Sequence, residues 1–381
     1  MQPVLSQYDD VHWMRRAIAL ARLAWGQTHP NPMVGALIVD SDGVCLGEGY
    51  HAKAGEPHAE VNAFHVAQGK DLSRATLYVT LEPCCTHGRT PPCTDAILRS
   101  GIRRVIVGAV DPNPAHSGHG LTLLRDAGLS VTEGVLAEEC LDLNLIFNHW
   151  MSRKSPLFAA KLATTIDGRV ATRAGESKWI SGAESRADVM RWRRYFPAIA
   201  VGAGTLIADN PQLTSRQSGI EPWCPVRFVF DRTGKTALHR PSYQVYSDTH
   251  AVRTVVVHGA YPDRESIAHL DQAGVQHWEI PGTGAEFWMT FRKHCMAAGI
   301  NGVFFEGGPR LVGDLLSHQQ MDYLLAYRAP LIFADSQSIP AIQQEAALTK
   351  LAMAPRLTRV HHDVFGEDSL MRGFVKYYTH D

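Results

Sequence analysis

Four residues dominate the chemistry this sequence could perform: His58, Glu60, Cys84 and Cys93. They occur as His58-Ala59-Glu60, then Glu82-Pro83-Cys84, then Cys93 after the insert CTHGRTPP. Imidazole and thiolate are ready zinc ligands, and three protein ligands leave a fourth tetrahedral position open to water. Glu60, two residues beyond the histidine, can stand beside the metal without ligating it. Its carboxylate could take a proton from the water and pass it to a leaving amine. A purely structural site would need a fourth ligand, with Cys85 and His87 the nearest candidates. Adjacent cysteines ligate one metal badly, and Glu60 would then have no task. A catalytic zinc is the expectation.

The elements that must position these residues follow from periodicity. A helix is predicted from Asp9 to Trp25, then a strand MVGALIV, a DSDG turn and a hairpin partner VCLGEGY. HAEVNAFHVAQG reads as a helix carrying His58 and Glu60 at its start. ATLYVTL is a strand that stops at Glu82-Pro83, and TDAILRSG a helix opening just after Cys93. Helix N-termini favour thiolates through their partial positive charge. RRVIVGAVD, LTLLRDAG and LSVTEG continue the alternation, which indicates a three-layer α/β domain with a mixed sheet. The polar stretch MSRKSP marks a boundary, giving domains 1–152 and 153–381. Beyond it AIAVGAGTLI, PVRFVFD, RTVVVHG, NGVFFEGGP and YLLAYRAPLIF read as strands or strand–turn units, and VKYYTH as a final edge or hairpin strand. ESRADVMRWRRYF, GAEFWMTFRKHCMAAG and RLVGDLLSHQ read as helices. Two glycine-rich turns, at 202–204 and 307–308, could bring backbone amides to a phosphate, but neither has the spacing of a dinucleotide fingerprint.

H-x-E followed by P-C and a second Cys is the pattern of zinc deaminases acting on nucleobase rings. Here the cysteines are not spaced C-x-x-C. The longer form PCCTHGRTPPC, with THPNPMVGA and GYHAKAGEPHAE, resembles the bifunctional deaminase/reductase family of riboflavin biosynthesis. KLATTIDGR, GESKWIS, LIADNPQLT and EGGPRLVGDLL resemble the reductase half of that family. The resemblance implies a cytidine-deaminase-like domain followed by a dihydrofolate-reductase-like domain that uses NADPH without a Rossmann fingerprint. It implies substrate contacts at Asn31, His51 and Arg89 in the first domain. In the second it implies NADPH contacts at Ala163, Trp179, Thr205, Asp209, Gly308, Pro309, Arg310, Leu311, Val312, Gly313 and Asp314. Ser177, Arg193, Leu213, Arg216 and Glu306 would hold the substrate, the two arginines being suited to its phosphate. Arg232 departs from the family pattern, which can carry a small polar residue there; an arginine suits a cofactor phosphate.

Composition narrows the alternatives. The chain of 381 residues has 45% hydrophobic and 20% charged residues and a formal net charge of −1. That balance is ordinary for a globular protein and gives no overall pull toward nucleic acid or an anionic membrane. No apolar run reaches the roughly 20 residues of a spanning helix. The acidic, polar start MQPVLSQYDD lacks the pattern of a secretory signal. Seven cysteines, few of them clustered, fit a reducing compartment with a metal use better than a disulfide framework, so a cytoplasmic enzyme is expected. The expected partner is a small phosphorylated pyrimidine, and a homo-oligomer stays open. A nucleic-acid base editor and a non-enzymatic zinc module are the rivals, and the near-neutral charge argues against the first.

Overall fold

The computed structural model describes residues 7–378, apart from 88–90, 115, 218, 238–242, 261–263 and 345–347. The chain forms two compact units, Met1–Lys154 and Ser155–Asp381.

In the first unit, α1 (Gln7–Arg22) precedes the hairpin β1 (Gly35–Val39) and β2 (Cys45–Tyr50). Then follow α2 (Ala59–Val66), β3 (Thr76–Leu81), α3 (Cys93–Arg99), β4 (Arg104–Ala109), α4 (His119–Asp126), β5 (Ser130–Glu133), α5 (Ala137–Leu143) and α6 (Leu145–Arg153). The sheet order is β2-β1-β3-β4-β5, antiparallel among β2, β1 and β3 and parallel from β3 to β5. Strands β1, β3 and β4 are buried on both faces, and successive side chains alternate between them. Ala36, Ile38, Leu77, Val79, Val105 and Val107 therefore face Ala59 and Ala63 of α2, Ile97 of α3 and Leu121 of α4 in one core. Helices α1 and α5 contact β1, β3 and β4 from the unit's other layer. Two glycines set the helix–sheet spacing. A Cβ at Gly35 would lie 2.0 Å from the Ala17 carbonyl oxygen of α1, and one at Gly47 would lie 2.3 Å from that of Ala63 in α2. Any side chain there would push away a helix, and α2 is the one that carries Glu60.

The second unit contains β6 (Leu157–Thr164), β7 (Arg169–Ala171), α7 (Ala183–Tyr195), β8 (Ala198–Gly202), α8 (Ala203–Asp209), β9 (Val226–Phe230), α9 (Gln244–Ser247) and β10 (Thr254–His258). It continues with α10 (Arg264–Gln272), β11 (Gln276–Glu279), α11 (Gly284–Ala297), β12 (Gly302–Phe305), α12 (Pro309–Ser317), β13 (Tyr323–Arg328), β14 (Ile339–Pro340), β15 (Arg356–Phe365) and β16 (Asp368–Lys376). Nine strands form one sheet in the order β11-β10-β9-β8-β12-β6-β13-β16-β15, while β7 pairs with β14 separately. The sheet is parallel as far as β13, and the hairpin β15–β16 closes it antiparallel. Phe158, Phe228, Phe230 and Phe305 pack on Phe287, Trp288 and Phe291 of α11. Ile199, Val201, Val229 and Val256, on the opposite side of the pleat, pack with Leu206 of α8, Val245 of α9 and Leu270 of α10.

Two predicted elements change. AIAVGAGTLI is a strand only to Gly202; from Ala203 it is helix α8, because glycine ends the strand and opens the turn. The last strand is a hairpin strand, one of the two expected alternatives, but it begins at Asp368, well before VKYYTH, and lies between β13 and β15, so the sheet edge is β15. Strand β15 was missed because its sequence, RLTRVHHDVF, is rich in charge and histidine, as befits an edge strand exposed along much of its length.

Candidate active sites

Strand β3 ends at Leu81, and Glu82-Pro83-Cys84 leaves the sheet where β4 also ends, at the carboxyl edge of its parallel part. Cys93 opens α3, and its N–H donates to Cys84 Sγ at 3.3 Å. Thr94 ties the same segment by donating its N–H to the Cys84 carbonyl at 3.2 Å. His58 is the N-cap of α2, in extended backbone, so its ring projects toward the cysteines instead of lying on the helix wall. His58 Nδ1 lies 3.2 Å from Cys93 Sγ and 3.5 Å from Cys84 Sγ. All three ligand atoms lie within 4.8 Å of one another. A tetrahedral zinc with ordinary Zn–N and Zn–S bonds would hold such atoms about 3.6 Å apart. The donor set and its spacing fit zinc.

Of the two thiols, Cys84 is the one that supplies a thiolate most readily. The Cys84 thiol is lowered to about 4, first by a hydrogen bond from the Cys93 thiol and then by one from His58. His58 is raised, chiefly by its hydrogen bond to Cys84. Glu60 is buried, and burial raises its carboxyl, so it is poised to hold a proton. Beside it stands an ordered pair. His51 Nδ1 faces the Pro57 carbonyl at 3.1 Å and therefore carries the ring hydrogen. Its Nε2 must then accept from Asn31 Nδ2, also at 3.1 Å. The rings of His51 and His58 meet edge to face, with centroids 5.4 Å apart. Thus Asn31, His51, His58, Glu60, Cys84 and Cys93 converge. Arg89 lies outside the described residues.

In the second unit, the ends of β8 and β12 meet two glycine turns and the starts of α8 and α12. The Gly308 N–H donates to Thr205 Oγ1 at 3.1 Å, joining the two turns. Gly308 caps α12 and Pro309 fills its first turn, so the backbone there is open to an anion. Cβ atoms at Gly202 or Gly204 would meet nothing within 4 Å, which leaves room for a ligand over this strand edge. Arg310 and Leu311 follow in the same turn, whereas Val312 and Gly313 are buried on the core side. Asp314 accepts from the Trp288 indole at 2.7 Å. Asp209 pairs with Lys178 at 3.4 Å, beside Ser177 and Trp179, and the Trp179 side chain is 70% exposed.

Glu306 follows β12 and is gripped by Arg193 of α7 through two hydrogen bonds, of 2.6 and 3.0 Å. A third guanidinium hydrogen bond goes to the Thr214 carbonyl at 3.0 Å. Burial works to raise the Glu306 carboxyl, but Arg193 and then Lys161 outweigh it and hold it below the usual carboxylate range. Lys161, on β6 two residues before Ala163, is half-buried, and burial lowers its pKa against the pull of Glu306. Sequence reasoning missed Lys161; its signal is a lone charge inside the apolar strand LFAAKLAT. Leu213 is buried with positive φ, so any contact there comes from its backbone. Arg216 donates to Gln212 at 2.5 Å and stays exposed. Arg232, at the end of β9, donates to the Gly282 carbonyl and lies over the Phe287 ring at 5.1 Å.

No helix among the described residues is long and apolar enough to cross a membrane. Residues 7–109 match the cytidine and deoxycytidylate deaminase zinc-binding region, and residues 156–371 match the RibD C-terminal domain. The riboflavin biosynthesis protein RibD of Actinobacillus pleuropneumoniae is 39% identical over 364 residues, covering 95% of this chain and 94% of that protein. Its Escherichia coli counterpart is 37% identical over 91% of this chain and 94% of its own. Among solved structures, Acinetobacter baumannii RibD superposes with a TM-score of 0.79 at 32% identity, covering 97% of this chain and all of that one. A Thermotoga maritima diaminohydroxyphosphoribosylaminopyrimidine deaminase/5-amino-6-(5-phosphoribosylamino)uracil reductase does so at 0.78 and 34%, covering 97% of this chain and 99% of that one. The expected fold class, a cytidine-deaminase-like domain followed by a dihydrofolate-reductase-like one, holds. With both halves matched and a relative 39% identical over 95% of its length, the chain belongs to the RibD family of riboflavin biosynthesis proteins.

Proposed function

We propose that residues 1–152 hydrolytically deaminate a 2,5-diamino-6-ribosylaminopyrimidinone 5'-phosphate and that residues 153–381 reduce its ribosyl side chain to ribityl with NADPH, in the cytoplasm. The observation that carries the first half is the convergence of His58, Cys84 and Cys93 on one point, with buried Glu60 beside them. His58, Cys84 and Cys93 would hold zinc, which supplies the Lewis acidity that makes water nucleophilic near neutral pH. Glu60 takes a proton from the attacking water and returns it to the departing amino group, so a C–N bond is exchanged for C–O and ammonia leaves. The fixed tautomer of His51 turns the Asn31 amide nitrogen toward the imidazole, leaving the Asn31 carbonyl oxygen to accept a substrate N–H. Arg89, in the inter-cysteine insert, is the basic group for the phosphate.

In the reductase half, Ala163, Thr205, Asp209, Trp179 and the turn opening with Gly308-Pro309-Arg310-Leu311 would cradle NADPH, which supplies the hydride. The rest of the 308–314 run supports that turn from the core side, and Arg232 stands ready for a cofactor phosphate. Ser177, Arg216, the Leu213 backbone and the Arg193–Glu306 pair hold the substrate, and Lys161 offers N–H donors at the floor of the site. The test is Glu60→Gln. Ammonia release from the diaminopyrimidine nucleotide should fall at least 100-fold with zinc content unchanged, while NADPH oxidation on the deaminated nucleotide stays at the native rate. Native ammonia release in the variant would refute the role of Glu60.

A further inference from the structure

Glu82 is buried between the metal-ligand segment and the loop that follows β4. One carboxylate oxygen, Oε2, accepts the N–H of Asp111 at 3.1 Å and that of Gly118 at 2.9 Å. The other, Oε1, accepts the N–H of Gly120 at 2.9 Å. The Glu82 backbone is itself fixed, because its N–H donates to the Ala109 carbonyl at 2.9 Å. Gly120 is pressed so close that a Cβ there would lie 2.4 Å from the Pro83 carbonyl oxygen. One side chain therefore ties three backbone donors, spread over ten residues, to the turn that carries Cys84.

Three convergent N–H groups on a buried carboxylate need a chemical reason. A turn could be closed by backbone bonds alone, and a buried negative charge costs free energy unless it is well bonded. The loop lies at the carboxyl end of β4, next to the carboxyl end of β3, and ligands of open α/β sheets bind in that crevice. Asp111, at the loop's start, is half-buried there and feels the charge of Cys84. Its own carboxylate is spent on the Asn113 N–H at 2.8 Å, which shapes the next turn. We infer that Glu82 is a positioning residue: by tethering Asp111, Gly118 and Gly120 it fixes one wall of the deaminase pocket and so sets substrate affinity without touching substrate. The inference rests on the deaminase reading above.

Glu82→Gln is isosteric but replaces one acceptor oxygen with an NH2 group that must face an N–H donor. At least one loop tether breaks while the volume stays filled. The experiment uses the full-length zinc-loaded protein with the diaminopyrimidine nucleotide, following ammonia release, zinc per chain and amide exchange over residues 110–120. NADPH oxidation by the same preparation serves as a control. The expected result is KM raised tenfold or more, kcat within threefold, native zinc content, and faster exchange confined to the loop. Glu82→Ala should enlarge both effects. Three results would each overturn the inference: an unchanged KM with a loosened loop, an unchanged loop, or lost zinc, which would make Glu82 a support of the ligand turn. Absence of deamination by the native protein is a different failure, that of the underlying reading.

Discussion

Replacing Arg193 with Met probes the buried pair at the floor of the reductase site. The side chains of Arg193 and Glu306 are only 12% and 10% exposed, and two hydrogen bonds join them. Removing the guanidinium leaves the Glu306 carboxylate buried, with Lys161 as its remaining charge partner. Breaking such a pair from one side costs about 3–5 kcal/mol. At about 2–4 °C per kcal/mol for a unit of this size, the second unit should melt roughly 6–20 °C lower. The effect has a defined pH dependence. In the native protein Glu306 titrates below its ordinary value of 4.5, so its stabilisation is full above that range and fades as pH falls through the folded value. In the variant the loss of Arg193 moves that carboxyl upward, so the gap between variant and native should narrow on acidification from pH 7 toward 4.5. Adding Glu306→Leu should recover part of the loss but not all, since Lys161 then has no carboxylate. Urea unfolding of the full chain at several pH values, with zinc retention monitoring the first unit, measures all of this. A loss below about 1 kcal/mol, as for an exposed pair, or a loss independent of pH, would refute the reasoning.

Two more expectations concern the first unit. In zinc-stripped protein Cys84, lowered to about 4, should be alkylated by iodoacetamide at pH 6 ahead of Cys85, whose thiol burial raises, and of Cys140, pushed up to about 12; zinc should protect it, and peptide mass mapping that finds Cys85 modified first would contradict this. Asn31→Asp sets a carboxylate against the bare Nε2 of His51, whose pKa burial now holds below its ordinary value; an NMR titration should find that pKa raised, and an unmoved value would show that the two side chains do not share the assigned hydrogen bond.

How much of this was legible beforehand depends on whether a residue announces itself locally. His58, Glu60, Cys84 and Cys93 do, because each is a reactive type at the end of a periodic element, and the structure brings them together. Asn31 and His51 were named one by one, but their pairing was not, since residues 20 apart meet only after β1 and β2 fold into a hairpin. Glu82 read as the end of a strand; its partners at 111, 118 and 120 are backbone groups, which sequence patterns do not mark. Arg193 was expected to suit a phosphate, but its pairing with Glu306, 113 residues away, leaves no mark in the helix sequence. Strand β15 escaped because its charged sequence matches an edge strand's exposure and lacks the apolar alternation that reveals inner strands.

The placement of Cys84 also governs the order in which the site can be assembled. All three ligands lie between residues 58 and 93, so they leave the ribosome before β4, the strand that flanks β3 and steadies the end bearing Cys84. For that interval the growing chain carries a full set of ligands without the scaffold that spaces them. Two thiols are then open to oxidation or to capture by whatever soft metal is at hand. Expression under zinc limitation should therefore yield mismetallated or oxidised chains more readily than stripping zinc from the folded protein does.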